Sequence, residues 1–353
     1  MRAVVISENL GPPLDEGIRK FATLLVDGLS AHCDAFGIAT GEWFAGDAEG
    51  RITHAPGGKL FRTPELAEAL RRAEPDLVVY VPSASGTLFS FLRARALKAA
   101  APGARVAMVL TQARRHLLPV KRLLSRLAPD AVFCQSAATM RYLASAGIEA
   151  TFLPSAVDTG RFHPVSGQRK ADLRRFYGLP QGEYLVLHAG HLKRGRNTEL
   201  LAQLEGIGRG VMLAGRSMGL DSVLKRKMKK HGVVVIDKYV ERVEELFQAC
   251  DAYLFPVREE DSAMEFPLSV LEAMSCDLAV AANPYGGLPL ALREGDGLSF
   301  AQTDEGLIDA VRRGKDAHVA TRAQAEMFGW DRTAGLLLEA TGVRDAGAFA
   351  TTV

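Results

Sequence analysis

EFPLSVLEAMSCDLAVAANPYGGLP, residues 265–289, is the most informative stretch of this 353-residue chain. Pro267 suits the first turn of a helix, where a missing N–H costs nothing. Val270, Leu271 and Met274 then fall on neighbouring faces of one helix. Glu272 sits inside that otherwise apolar helix, about one turn from its start. A carboxylate there can accept hydrogen bonds from a ligand diol. The free N–H groups of the same helix start, around Ser269, Val270 and Leu271, can cradle a phosphate. The apolar strand Leu278–Ala282 follows, and then Tyr285-Gly286-Gly287. Paired glycines after a strand permit a tight turn and close approach of backbone to a ligand.

Outward from this stretch, short β-rich runs alternate with helical patterns. Candidate strands are Ala3–Ile6, Leu77–Val81, Val106–Leu110, Ala131–Cys134 and Thr151–Leu153. A second series is Tyr184–His188, Gly210–Leu213, Val233–Ile236, Ala252–Phe255 and Leu278–Ala282. Most are continuously apolar, as parallel strands buried on both faces are. Between them Ile18, Phe21, Leu25 and Leu29 recur at helical spacing. The alternation predicts right-handed βαβ units and doubly wound α/β sheets. About ten strands are too many for one ordinary open sheet, so two Rossmann-like domains are expected. The expected division is 1–165, 180–335 and a helix end and tail over 336–353. Between the domains, Asp158–Gly182 holds Pro164, Gly167, Gly178, Pro180, Gly182 and the basic run Arg169 to Arg175. Ligands of such sheets bind outside the carboxyl ends of the strands, so two facing domains would hold a ligand in a central cleft.

Composition narrows the function classes. Hydrophobic residues are 48% and charged residues 24%, a globular balance. With 43 Lys+Arg against 41 Asp+Glu, global charge argues neither for disorder nor for nucleic-acid binding. Cys33, Cys134, Cys250 and Cys276 are far apart and form no CxxC pair, which excludes a zinc ribbon or redox motif and suits a reducing compartment. No run reaches the roughly 18 apolar residues of a membrane span. A cytoplasmic protein is expected, with peripheral contact at the inner face of a membrane left open.

The segment 265–289 resembles the donor-site signature of family 4 retaining glycosyltransferases of the GT-B fold: an acid, a mostly apolar run, LEAM (here Leu271–Met274), a small-residue strand and GG-x-P (here Gly286–Pro289). Other blocks keep the family's order. FLPSAVDTGRFHP (152–164) resembles the segment that closes the N-terminal domain. LHAGHLKRGRNTELL (187–201) is similar to the family's glycine-rich donor loop, and YVERVEELFQACDAYLFP (239–256) to the block before the signature. GDGLSF (295–300) and FGW (328–330) also have counterparts. The likeness covers most of 135–340; the first 130 residues match only in general pattern.

The resemblance implies transfer of a glycosyl group, with retention, from a nucleotide-diphosphate sugar to an acceptor hydroxyl on a glycan, a lipid-linked acceptor or a small molecule. It implies no cofactor and no metal, with the leaving diphosphate neutralised by cations and helix-start N–H groups. The family's donor-site Arg falls on His191 and its Lys on Arg196. The first acid of its Glu pair aligns with Met264, with Glu265 one residue late, and the Glu after GG-x-P is Leu290. Its N-domain His has no clear counterpart; Gln112 falls near it, and His116 is the nearest His. Arg196, in a loop with Gly190, Lys193 and Arg194, is assigned to the diphosphate and Glu272 to the donor ribose. Glu265 reads as a sugar contact or as a capping acid, and His191 as a phosphate partner or a loop His. Gly215 and Arg216 read as a ligand-facing loop or an ordinary turn. Tyr239 and Val240 line a nucleobase pocket or simply pack. Asn9, Gly11 and Gly17, after the first strand, approach a ligand or form a plain βα loop. HAGH (188–191) has a spacing that can ligate metal, but one His ends a strand and the other opens a loop.

Residues 113–126 gather Arg114, Arg115, Lys121, Arg122 and Arg126 around Leu117, Leu118, Leu123 and Leu124. That is either a packed helix with a solvated basic face or a surface for anionic lipid heads. The rival functional class is a noncatalytic GT-B protein that binds nucleotide-sugar or a partner protein. A phosphorylase of the same fold would need a pyridoxal-binding Lys, for which no segment argues.

Overall fold

The computed structural model describes residues 1–42, 50–112, 114–215, 219 and 221–343. They form two compact units. The first is Met1–Ser155 with Met264–Phe266 and the chain from Trp330; the second is Ala156–Ala263 with Pro267–Gly329.

The first unit is built on a seven-stranded sheet: β1 (Arg2–Ser7), β2 (Asp34–Ala39), β3 (Ile52–His54), β4 (Leu77–Tyr80), β5 (Arg105–Leu110), β6 (Ala131–Cys134) and β7 (Thr151–Phe152). The order is β3-β2-β1-β4-β5-β6-β7 and every ladder is parallel. After the first residues of β1 and β5, Arg2 and Arg105, the central strands are buried, which is why they read as continuous apolar runs. Helices start where a side chain takes the first N–H groups: Glu16 for Gly17–Ser30, Thr63 for Pro64–Ala73, Thr87 for Leu88–Ala100 and Ser136 for Ala137–Ala144. The helix Trp330–Ala340 also belongs here. Its Trp330 packs against Phe21 with ring centroids 5.6 Å apart. Gly28 makes that approach possible, because a Cβ there would lie 2.8 Å from the Trp330 carbonyl oxygen.

The second unit is built on a six-stranded sheet: β8 (Leu185–His191), β9 (Arg209–Gly215), β10 (Val234–Ile236), β11 (Ala252–Phe255), β12 (Ala279–Ala282) and β13 (Leu298–Phe300). Its order is β10-β9-β8-β11-β12-β13, again parallel. Val186, Met212, Leu254, Ala281 and Leu307 anchor one face of its core.

The structure departs from the sequence expectations in definite places. β2, β3 and β13 are additional strands. β2 opens on the exposed Asp34 and contains Gly37, where a Cβ would lie 3.1 Å from Ile52 Cγ1. β3 and β13 are three residues each, too short to show a period. The expected linker carries the helix Gly167–Tyr177, and its basic run is consumed in ion pairs of the second unit. Arg174 donates to Asp251 Oδ2 at 2.7 Å and to the Ala249 carbonyl at 2.8 Å, and Arg169 to Glu245 Oε1 at 2.9 Å. The expected bounds 1–165 and 180–335 therefore shift: 156–165 joins the second unit, and 264–266 and 330–335 join the first. Of the expected helix end and tail over 336–353, residues 344–353 lie outside the described residues.

Cys134, Cys250 and Cys276 are buried, and burial pushes the thiols of Cys134 and Cys250 up to about 12. No helix among the described residues is long and apolar enough to cross a membrane.

Candidate functional site

Each sheet has one place where strand order reverses, and ligands of open α/β sheets bind at the carboxyl ends of the strands there. In the second unit that place lies between β8 and β11. The carboxyl end of β8 carries Gly190 and His191, in register with Ala214 and Gly215 of β9. Lys193 is exposed and Arg196 half-buried in the turn that follows. Arg196 lies directly over Gly190: a side chain there would run into Arg196 Nη1 and come within 3.3 Å of His188 Nε2. Glycine at 190 is thus a matter of space for the guanidinium.

The Tyr253 phenol shows what else gathers there. It lies fully buried at 3.4 Å from the Ala189 carbonyl and hydrogen-bonds Ser269. The charges of Glu272 and Arg196 both reach it, while burial, the largest influence, pushes the phenol well above its usual range. Ser269 and Glu272 stand on the helix Leu268–Ser275, whose start has no side-chain cap. Val270 and Leu271 of that helix are fully buried in the core. The unit thereby brings together Gly190, His191, Arg196, Ser269 and the buried Glu272: one guanidinium, one carboxylate and an uncapped helix start.

Both histidines of the HAGH run are neutral at pH 7. Burial, then the charge of Arg196, takes His191 down to about 4, with Lys193 adding to the effect and a bond to the Gly215 backbone opposing it. His188, completely buried, is likewise lowered to about 4 by burial. Its Nδ1 lies 2.8 Å from the Leu254 carbonyl and so carries the proton, leaving Nε2 as an acceptor. His191 offers a hydrogen bond to an anion, whereas positive charge comes from Arg196 and Lys193. Among the described residues no group of three or more His, Cys, Asp or Glu is gathered tightly enough to hold a metal ion.

Asn197, Arg258 and Asp304 support this site without a signal in the sequence. Asn197, following Arg196, has φ 54° and donates to Asp304 Oδ1 at 2.7 Å, an oxygen that Arg258 also reaches at 2.7 Å. Tyr285 holds the loop before the helix: its hydroxyl lies 3.0 Å from the carbonyls of Glu260 and Ala263 and accepts from the Ala263 N–H at 3.2 Å. Gly286 has φ 55°, a conformation that favours glycine, and Gly287 opens the short helix Leu288–Ala291. At the end of β12, Asn283 is buried, and its amide nitrogen has no hydrogen-bond partner among the described residues. Tyr239 is half exposed and Val240 partly buried, beyond the end of β10. Arg216 lies outside the described residues.

Glu265 is held by buried hydroxyls. It belongs to the first unit, where its Oε1 accepts from Ser136 Oγ at 2.6 Å and Thr139 Oγ1 at 2.7 Å, and its N–H donates to the Thr111 carbonyl at 2.8 Å. Those two hydroxyls use Glu265 as a buried acceptor. Met264, in the position of the family's acid, packs on Gly17, where a Cβ would sit 2.9 Å from its sulfur. The start of the helix behind Gly17 is capped by Glu16. Asn9 bonds locally to Ser7 Oγ at 3.4 Å, and the Gln112 carbonyl accepts from the Ser85 hydroxyl. His116 is held by Tyr142: its N–H donates to the phenolic oxygen at 2.8 Å and its Nδ1 lies 3.0 Å away. At the first sheet's own reversal, between β1 and β4, stands a group the sequence did not mark. Glu8 accepts from Tyr80 at 3.0 Å and from the Ser83 N–H at 3.1 Å, and pairs with Arg93.

The family described as Glycosyl transferases group 1 matches residues 186–314, from β8 through most of the helix Asp304–Asp316. The matched stretch contains every second-unit residue just described. A D-inositol 3-phosphate glycosyltransferase of Paenarthrobacter aurescens is 28% identical over 209 residues, covering 53% of this chain and 50% of that one. An alpha-galactosylglucosyldiacylglycerol synthase of Streptococcus pneumoniae is 26% identical over 151 residues, 39% of each chain. The chain thus spans half the length, or less, of these relatives. Among solved structures, sucrose-phosphate synthase from Thermosynechococcus elongatus superposes with a TM-score of 0.74 at 17% identity, covering 97% of this chain and 99% of that one. Anabaena HepE, solved in complex with UDP-glucose, gives 0.72 at 14% identity, covering 97% and 100%. The two α/β units have the fold of GT-B glycosyltransferases.

Proposed function

We propose that the protein is a retaining glycosyltransferase that moves a sugar from a nucleotide-diphosphate donor to an acceptor hydroxyl without a bound metal. The observation that carries this reading is the gathering, around Tyr253, of Arg196, Glu272 and the uncapped start of the helix Leu268–Ser275. In this reading Arg196 and the helix-start N–H groups receive the diphosphate, and Glu272 accepts the ribose hydroxyls. As the glycosidic bond breaks, negative charge grows on the leaving phosphate, and the fixed guanidinium stabilises it. His191, neutral, donates or accepts a hydrogen bond there without adding charge. The names of HepE's complexes with UDP and UDP-glucose support a uridine nucleotide as the first donor to try. Those of the relatives support acceptors of the polyol-phosphate or glycolipid class.

Calorimetry with UDP, GDP, ADP and TDP tests the reading, with Glu272→Ala as control. Binding of one nucleotide that is lost in the variant is expected; no binding to any of them overturns the donor site. One observation favours a noncatalytic reading instead: Met264 stands where the family has an acid, and Glu265 is engaged by Ser136 and Thr139. Tight nucleotide binding with no release of sugar from any nucleotide-sugar, across a panel of acceptors, would decide for it.

A further inference from the structure

The helix Leu118–Leu127 of the first unit buries only Leu124 fully, with Val120 and Leu127 packed partly buried against the same core. Leu117 is 81% exposed, Leu118 70% and Leu123 40%. These leucines are presented by a segment fastened from its inner side. His116 is tied to the Tyr142 phenol through its backbone N–H at 2.8 Å, and the Lys121 ammonium lies 5.2 Å from the centre of the Tyr142 ring. Leu118, Arg122 and Arg126 follow one another at four-residue steps along a single stripe, with Leu123 beside it. Arg114, Arg115, Arg122 and Arg126 are exposed, and no Asp or Glu occurs from Ala113 to Pro129. The helix start has no side-chain cap, and Pro119 in its first turn has no N–H to satisfy.

We propose that this face docks the first unit on an anionic phospholipid bilayer. Exposed leucines bordered by guanidinium groups match the boundary between acyl chains and phosphate headgroups, where each group finds its own solvent. Charge complementarity selects this occupant. A second copy of the chain, placed symmetrically, would bring the same cations against one another. The leucines enter the acyl boundary while Arg122 and Arg126 meet lipid phosphates, and the uncapped first turn adds N–H donors for a headgroup. The inference is independent of whether the second unit turns over a donor.

Vesicle flotation of the full chain tests it, using phosphatidylcholine alone and phosphatidylcholine mixed with phosphatidylglycerol. Flotation with the mixed vesicles at low salt, its loss at high salt, and none with phosphatidylcholine alone are expected. Leu117→Ser with Leu118→Ser, and separately Arg122→Glu with Arg126→Glu, should each lower the bound fraction at least about tenfold. Circular dichroism and nucleotide binding by the second unit, measured on the same samples, should stay unchanged. No flotation on anionic vesicles, or flotation that neither pair of substitutions reduces, overturns the proposal. So does self-association through these residues, which would make a second copy the occupant.

Discussion

The guanidinium of Arg196 occupies the space beside Gly190 that a side chain at that position would fill. The cation that meets the diphosphate in the proposed site is therefore held by the absence of a Cβ on the neighbouring strand. Gly190→Ala should push the far end of a flexible Arg aside at small cost to folding. A nucleotide diphosphate should then bind at least about tenfold more weakly, the scale of one charge-assisted hydrogen bond. Calorimetry alongside thermal unfolding checks this; full affinity in the variant would detach Arg196 from the site.

Arg196 and His191 should differ in weight. His191 is held neutral by burial and by the charge of Arg196, so it contributes a hydrogen bond at pH 7 and no charge. Arg196→Ala should cost roughly 2–3 kcal/mol of binding and His191→Ala roughly 1 kcal/mol. Equal losses in the two variants would argue that His191 is charged when the anion is bound.

The same histidines predict a pH dependence of stability. Each has its folded value lowered to about 4 from 6.5, so the unfolded chain binds more protons between those values. Stability is then unpenalised above about pH 6.5 and falls as the pH drops toward 4. The loss by pH 5 is on the order of 2 kcal/mol for each histidine. Urea unfolding of the second unit at pH 7 and pH 5 measures it. A smaller difference is expected in His191→Asn.

Glu265→Ala should act on folding and leave the nucleotide site alone. It removes the acceptor shared by the buried hydroxyls of Ser136 and Thr139. The expected cost is about 2–4 kcal/mol, from two buried hydroxyls left without their shared acceptor. The lower stability should appear in the transition of the first unit, with nucleotide affinity retained. A selective loss of affinity at unchanged stability would return Glu265 to the donor site.

Much of the architecture was legible because parallel strands buried on both faces are written mostly as unbroken apolar runs, and ten candidate strands were visible. β2 was hidden by its polar first residue and by Gly37, whose role is close approach to Ile52. Within the site, Arg196 and Glu272 were legible from their motif. Asp304, which steadies the turn through Asn197, was not, because it lies 107 residues away in sequence and the link is one hydrogen bond. Glu8 and Arg93 are joined in the same long-range way, 85 residues apart.

Residue order alone determined the two α/β sheets, the helix that carries Glu272 and the glycine turn after it, since periodicity, caps and turn chemistry are local. Only the tertiary structure decided which side chains share an environment. It placed Glu265 among the hydroxyls of the first unit, returned the helix Trp330–Ala340 to Gly17–Ser30, made both histidines of HAGH neutral and left Leu117 and Leu118 in the open. The reason is physical: burial and long-range neighbours set charge state and partnership, and neither is a property of a residue's position along the chain.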